Sequence, residues 1–418
     1  MSVVLPRKFI YSSFVFVPLQ PMKLHRNTSV PIVNALHKIL KEGSYADKVI
    51  EKTLKINTKW AQYDKRFIAE TIYDIVRNFR FLKEISGVKG DDFWGLYGAW
   101  CVVNKIELPR WDEFKIIKTK AIHDKIEAVK SNRRIVQSIP NWLDELGEKE
   151  LGIQRWEKEV QALNEEASVV LRTNTLKISR NELKSQLEDQ NILTEVSSEF
   201  PDALLLKNWH NVFALPQFKE GLFEVQDAGS QLIAPYLQAE GNMRVIDACA
   251  GTGGKTLHLA ALLKNKGRII ALDNEEWKLD VLRKRARRAG VSNVEAKLIE
   301  SSKTIKRQEN SAERLLLDVP CSGLGVLKRN PDAKWKLSAD YIKEVKTLQE
   351  KILNDYSVML KKNGLMVYST CSILNSENED QVQNFLQAHP GQFELLNEKR
   401  IWPSEGFDGF YMAVMKKL

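Results

Sequence analysis

Two stretches of this 418-residue chain set a thiol at the end of an apolar run. In the first, Leu315-Leu316-Leu317 leads into Asp318-Val319-Pro320-Cys321-Ser322-Gly323-Leu324-Gly325. In the second, Leu365-Met366-Val367-Tyr368 leads into Ser369-Thr370-Cys371-Ser372. Short apolar runs of this kind read as buried strands. In open α/β sheets, ligands collect outside the carboxyl ends of the strands. A thiol at such a tip is a candidate nucleophile, acting as its thiolate. Packing is the competing use of a cysteine. It is the expected use for Cys101, within the apolar run Phe93 to Val103, and Cys249 is read as a packing rather than a reactive residue.

A third stretch supplies a ligand turn. Asp247-Ala248-Cys249-Ala250-Gly251-Thr252-Gly253-Gly254-Lys255-Thr256 follows an apolar run and enters a helical pattern. Glycines here let backbone approach a ligand closely. The spacing is not that of a phosphate-binding Walker loop. The next apolar run ends in Asp273, an acid placed to accept hydrogen bonds from ribose hydroxyls. The cofactor is therefore expected to carry a ribose, as NAD and S-adenosyl-L-methionine both do.

The two strand-tip thiols discriminate between these cofactors. Hydride transfer has no use for them, whereas methyl transfer to a pyrimidine carbon does. Cytosine C5 is a poor nucleophile until a thiolate adds to C6 and N3 is protonated. The C5 proton must then leave and the thiol be expelled. A nucleophilic Cys, a carboxyl group facing N3 and a second Cys near the base would supply these roles. Asp318 would have to donate to N3 or share a proton with it, which requires a raised pKa. Spacing alone treats Cys321 and Cys371 alike.

The elements that must position these residues follow from periodicity. From Arg244 onward, predicted strands (Arg244–Ala248, Arg268–Leu272, Val294–Ile299, Arg314–Leu317, Leu365–Tyr368, Gly409–Met415) alternate with helices (Lys255–Lys264, Glu276–Ala289, Ala339–Leu360, Glu377–Ala388). That alternation predicts a doubly wound parallel sheet. Residues 145–240 read as a helical linker followed by a small α/β module of the kind that presents basic and polar groups to RNA. Residues 27–144 read as all helical, with one long helix over Gln62 to Ile85 that interleaves Ile68, Ile72, Ile75 and Val76 with Lys65, Arg66, Arg77 and Arg80. Those charges are either a solvated face or an RNA-contacting one, and the same choice applies to the basic run Lys278 to Arg288. Trp335 is either a core residue or a base-stacking one.

Composition sets the outer bounds. Hydrophobic content is 43% and charged content 28%, ordinary for a globular protein. The formal net charge of +9 favours an anionic partner, most simply nucleic acid. Four cysteines offer neither a disulfide framework nor paired metal-ligand spacing, which suits a reduced, cytoplasmic protein with no metal site. Residues 1–26 are read as an N-terminal extension. Its first 21 residues, basic and then apolar, are too short to span a membrane and fit an upstream extension from a misassigned start, with a true terminal segment or signal as the alternative.

At these motifs the chain resembles a known family. The turn Asp247 to Thr256, the run Asp318 to Trp335, Ser369-Thr370-Cys371-Ser372 and the terminal Asp408-Gly409-Phe410-Tyr411-Met412-Ala413 are similar to the motifs of the Sun-type (Fmu-like, RsmB-type) RNA cytosine-5 methyltransferases. The similarity runs from about Ser168 to the C-terminus. The helical region, with Asp64-Lys65-Arg66-Phe67-Ile68, is similar to the NusB-like RNA-binding domain fused to the small-subunit rRNA members. The resemblance implies a Rossmann-like catalytic domain over 241–418, S-adenosyl-L-methionine as cofactor, small-subunit rRNA as partner and a monomeric enzyme. It implies that Cys371 attacks C6 and Cys321 assists release, while Asp318 holds N3 beside the methionine end of the cofactor. Cys249, Ala250, Gly251, Thr252, Gly253, Gly254 and Lys255 would wrap the cofactor, Asp273 would hold its ribose and Glu300 would lie near its adenine. Lys328, Arg329 and Lys334 would approach the RNA backbone. The turn departs from the family's Ala-Ala-Pro-Gly-Gly-Lys, which puts its stiffness in question, and the family's acid near the adenine is Asp where this chain has Glu300.

Four alternatives stay open on sequence. An adenine-directed methyltransferase would carry an Asp-Pro-Pro-Tyr-like strand tip, against which Val319 and Cys321 stand. A DNA cytosine methyltransferase would attack with Cys321. A cytosine-5 methyltransferase could act on another RNA, such as tRNA. A ribosome-assembly protein could retain the fold without activity.

Overall fold

The computed structural model describes residues 23–208 and 210–418; the reading of the first 21 residues falls outside them. Two compact units result. One runs to Glu166 and also includes Leu327–Leu337; the other comprises Ala167–Val326 and Ser338–Leu418.

The first unit is helical, consistent with a NusB-like domain. Helices Arg26–Leu40, Ala46–Leu54, Gln62–Arg77, Phe79–Ser86 and Phe93–Val103 bury the faces that the three-and-four spacing marks, among them Ile68, Ile72, Ile75 and Val76. Phe93–Val103 is core, and burial pushes the Cys101 thiol well up. The single helix expected over Gln62 to Ile85 is interrupted at Asn78, whose side-chain amide donates to the carbonyl and carboxylate of Asp74 at 3.0 and 2.9 Å. A short polar side chain that binds nearby backbone ends a helix that apolar periodicity alone would continue. Helices Asn141–Leu151 and Ile153–Leu163 complete this unit. They are tied at Asp144, which accepts from Trp156 Nε1 at 2.7 Å and from Arg133 and Arg134.

Leu327–Leu337 is part of the same unit. Trp335 Nε1 donates to Val76 O at 2.7 Å and its ring meets Phe79 edge-on, so Trp335 is a packing residue and not a base-stacking one. Arg77 donates to Lys328 O, and Asp332 accepts from Ala46 N. Lys334 is only 3% exposed and donates to Asn164 at 2.9 Å; burial first, and the Arg77 charge second, press its ammonium well down. Lys328 is equally buried. The expectation that these two lysines approach RNA is thus corrected, and Arg77 likewise does not offer a solvated charge.

The second unit holds two sheets among the described residues. Strands β1 (Val170–Thr173), β2 (Thr194–Val196), β3 (Ala203–Leu206) and β4 (Phe223–Val225) form an antiparallel sheet in the order β2-β3-β1-β4, with helix Arg180–Glu188 packed on it through Leu183 and Leu187. Strands β5 (Arg244–Asp247), β6 (Arg268–Asp273), β7 (Val294–Leu298), β8 (Ala312–Asp318), β9 (Leu360–Thr370), β10 (Phe393–Ile401) and β11 (Phe410–Lys417) form the larger sheet, in the order β10-β11-β9-β8-β5-β6-β7. β5 to β9 are parallel, as expected. The far edge is not: β11 runs antiparallel to β9, and β10, absent from the sequence reading, runs antiparallel to β11. The sheet is Rossmann-like and mixed. Its strand order reverses between β5 and β8, so the tips carrying Asp247 and Asp318 border the crevice where such folds bind ligands.

Candidate active site

The turn after β5 is built to receive a ligand. Gly251 and Gly253 take left-handed conformations, at φ +54° and +89°, that cost other residues energy. A Cβ on Gly251 or Gly254 would meet nothing within 4 Å, so both face open space. A cleft of about 280 Å³ opens there, lined by Asp247, Cys249, Ala250, Gly251, Thr252, Gly254, Lys255 and Asp318, and on its far wall by Val225, Gln226, Ser230 and Arg285. Asp247 is buried; one carboxylate oxygen accepts from Thr256 Oγ1 at 2.7 Å and the other has no partner. Burial, against the Thr256 hydrogen bond and with the Asp318 charge, pushes its carboxyl up to about 7.

The question of the turn's stiffness has a structural answer. Arg285, on helix Glu276–Ala289, donates to both the carbonyl and the hydroxyl of Thr252 at 2.9 Å. Arg285 is itself held at 3.0 Å by Glu224 of β4, which also pairs with Arg288. Arg172 of β1 donates to Gly254 O at 2.6 Å. These arginines brace the turn, which corrects the reading of Arg285 and Arg288 as a solvated or RNA-facing row.

Asp273, at the tip of β6, accepts from Gly251 N at 2.9 Å and from Glu275 N at 3.0 Å. Glu300 lies just beyond the tip of β7 and is exposed. Neither Asp273 nor Glu300 nor Gly253 lines the cleft proper. They stand along the same carboxyl edge, where a ligand longer than the cleft would extend.

At the other border, Lys255 Nζ donates to Asp318 Oδ2 at 2.5 Å and Ser369 Oγ donates to Asp318 Oδ1 at 2.9 Å. Both carboxylate oxygens of Asp318 therefore accept, whereas the sequence reading had this acid donate to N3 or share a proton with it. The available proton sits on Lys255. Burial lowers that ammonium's pKa, but the charge and hydrogen bond of Asp318 outweigh it, and the result is raised.

The two thiols come together. Cys321 Sγ and Cys371 Sγ lie 3.2 Å apart, and Cys371 N points at Cys321 Sγ at 3.3 Å. Gly325 makes the approach possible. Its N donates to Cys371 O and its O accepts from Gly409 N, both at 2.8 Å, where a Cβ would fall 2.1 Å from Gly409 O. The Cys321 thiol is pushed well up, by its hydrogen bond to Cys371, by burial and by the charges of Cys371 and Glu377. Cys371 lies within electrostatic range of the Lys255 ammonium.

Three groups escaped the sequence reading in whole or part: the Lys255–Asp318 ion pair, the Arg285 brace and the buried Glu377. Lys255 was legible only as a turn residue. Glu377 sits in the polar run Asn375-Ser376-Glu377-Asn378-Glu379-Asp380, which reads as the wet start of a helix and carries no signal of burial.

Comparisons with known proteins agree with this geometry. Residues 234–416 match the family described as 16S rRNA methyltransferase RsmB/F, and residues 139–213 match the RsmF/B-like ferredoxin-like domain. A probable ribosomal RNA small subunit methyltransferase B from Synechocystis is 32% identical over 413 residues, covering 89% of this chain and 90% of that protein. The chain belongs to the RsmB/F family. Its relative from Vibrio cholerae, a ribosomal RNA small subunit methyltransferase B, is 36% identical over 66% of this chain and 65% of its own length. Among solved structures, the protein PH0851 superposes with a TM-score of 0.80 at 25% identity, over 95% of this chain and all (100%) of that one. A methyltransferase homolog protein from Pyrococcus horikoshii gives 0.62 at 27% identity, over 69% of this chain and 98% of its own.

RsmB/F proteins are S-adenosyl-L-methionine-dependent RNA cytosine-C5 methyltransferases, and this chain is such an enzyme. The residues fit the cofactor. The open faces of Gly251 and Gly254 leave room for it, and the unpartnered oxygen of Asp247 offers an acceptor for an ammonium or a hydroxyl. No helix among the described residues is long and apolar enough to cross a membrane.

Proposed function

We propose that this protein methylates C5 of a cytosine in small-subunit ribosomal RNA, with Cys371 adding to C6 and Cys321 assisting release. The observation that carries the division of labour is the unlike surroundings of two touching thiols. The contact with Cys371 and burial hold the proton on Cys321, and Cys371 N also donates to the Cys321 sulfur at 3.3 Å, which leaves Cys371 as the thiol that attacks. The family names of the relatives support the substrate.

The chain's own residues account for the steps around the base. The Cys371 thiolate attacks C6 while the Lys255–Asp318 pair supplies a proton to N3, which leaves C5 electron-rich. The cofactor, when bound, presents an electrophilic methyl group on a sulfonium. After transfer, the C5 proton passes to solvent, the N3 proton returns to the pair and Cys371 departs as thiolate. Cys321 keeps its proton throughout and hydrogen-bonds the Cys371 sulfur as it arrives and as it leaves. The target base must be out of its stack to reach Cys371, which favours a loop or an opened site. An RNA-binding role for residues 27–240 and a monomeric state belong to the same proposal.

The test is a trapping assay with small-subunit rRNA fragments and S-adenosyl-L-methionine on denaturing gels. Cys321→Ala is expected to accumulate a covalent protein–RNA adduct, and Cys371→Ala to give none. An adduct with Cys371→Ala in place of Cys321→Ala would reverse the roles. No adduct with either, and no methyl transfer by the wild type, would overturn the reading.

A further inference from the structure

Beneath the thiol pair lies an acid that the mechanism above does not use. Glu377 is fully buried (0% exposed). One of its carboxylate oxygens accepts from Ser322 N at 2.8 Å and from Gln349 Nε2 at 3.0 Å. The other accepts from Ser372 Oγ at 2.6 Å, and Ser322 Oγ donates in turn to Ser372 Oγ at 3.1 Å. Ser322 and Ser372 are the residues that directly follow Cys321 and Cys371. A chain of hydroxyl donors thus runs from one cysteine turn to the other and ends on one carboxylate. Gln349 Nε2 also reaches Pro320 O at 2.9 Å, and the Tyr368 hydroxyl holds Glu377 O at 2.7 Å, so the acid is fixed from above and below.

A buried carboxylate is costly unless donors surround it, and a half-satisfied network is worse than none. Here three donors converge on the two oxygens, so the network is well supplied. We propose that Glu377 is the positioning residue of the thiol pair, clamping the two cysteine turns together so that Cys321 is held against the Cys371 sulfur and the two thiols keep unequal surroundings. This rests on the proposed function of the two thiols and adds the device that makes them unequal. The ionisable groups around Cys321 are Cys371 from the end of β9, Glu377 from the turn that follows, and the phenol of Tyr368, which burial keeps protonated. Lys255 and Asp318 stand on the Cys371 side.

Glu377→Gln separates the charge from the shape. The amide oxygen can accept from Ser322 N and Gln349, while the amide nitrogen donates to Ser372 Oγ and the two hydroxyls reverse direction. The experiment follows alkylation of Cys321 and Cys371 by iodoacetamide from neutral to alkaline pH, read by peptide mass mapping, together with methyl transfer by the same preparations. In the wild type, Cys321 is expected to react only at alkaline pH. In Glu377→Gln its profile should move to lower pH, and a covalent adduct should build up during turnover. A folded Glu377→Gln with the wild-type Cys321 profile and wild-type transfer overturns the proposal. Should Glu377→Gln not fold, Ser372→Ala carries the test, because it cuts the hydroxyl chain and leaves the charge. Slowed release with adduct accumulation supports the clamp, and unchanged release refutes it. Retention of full transfer by both Cys321→Ala and Cys371→Ala would instead mean that the functional reading beneath it has failed.

Discussion

Replacing Asp318 with Asn isolates the charge of one carboxylate. Asn can turn its oxygen toward Lys255 Nζ and its amide toward Ser369 Oγ, so both contacts survive in shape. What is lost is the anion opposite a Lys255 that is only 13% exposed. Removing one partner of a buried ion pair costs about 3–5 kcal/mol. Asp318 is 27% exposed, and the retained hydrogen bonds offset part of the loss, so the low end applies, about 3 kcal/mol. For a unit of this size that lowers Tm by about 6–12 °C. The effect also has a pH signature. Lys255 is raised in the folded protein, so the pair's stabilisation is complete below the ordinary lysine value of 10.5 and is lost as pH climbs through the raised value. The gap between wild type and Asp318→Asn should therefore be constant through neutrality and close only in strong alkali. With N3 no longer served by a paired donor, single-turnover methyl transfer should fall about 100-fold or more. Thermal unfolding across pH and single-turnover transfer with saturating cofactor are the assays. An Asp318→Asn protein with wild-type Tm and rate would refute the assignment of Lys255–Asp318 as a working pair.

Asp247→Asn should stabilise the unloaded protein above neutral pH, because the wild-type carboxyl, raised to about 7, takes up a proton on folding and loses stability as pH rises from its unfolded value of 3.8; calorimetric titration should show weaker cofactor binding by the same variant. Gly325→Ala puts a Cβ 2.1 Å from Gly409 O and 2.8 Å from Cys371 O, so denaturant unfolding should show a loss of about 1–3 kcal/mol, and the displaced Cys371 should slow transfer more than it weakens cofactor binding. Glu224→Gln frees Arg285 from its anchor and so slackens Thr252; the cofactor Kd should rise several-fold while the trapped adduct of a Cys321→Ala background still forms.

The parallel strands were legible because burial on both faces writes continuous apolar runs such as Leu315-Leu316-Leu317. β10 was not, because an edge strand reading Phe-Glu-Leu-Leu-Asn-Glu-Lys-Arg-Ile is buried only at its two ends and looks like a polar loop. The thiols, the glycine turn and Asp273 announced themselves by type and place. Glu377 and Arg285 could not, since each owes its role to partners far along the chain: Ser322, and Glu224 with Thr252. Lys334 misled, and Trp335 stayed undecided, for the same reason. A lysine beside a tryptophan reads as a nucleic-acid contact, and only the tertiary fold reveals Asn164 and Val76 waiting for them.

The helical unit contains Leu327–Leu337, a piece of chain made long after its other helices. A ribosome has released residue 166 well before it reaches residue 337, and at about 5–20 residues per second the interval is roughly 10–30 s. Throughout it, Val76 lacks the Trp335 donor and Ala46 lacks Asp332. The first domain to emerge thus cannot close its core until the chain has been synthesised through the Cys321 turn to Leu337, with only Ser338–Leu418 of the catalytic unit still to be made.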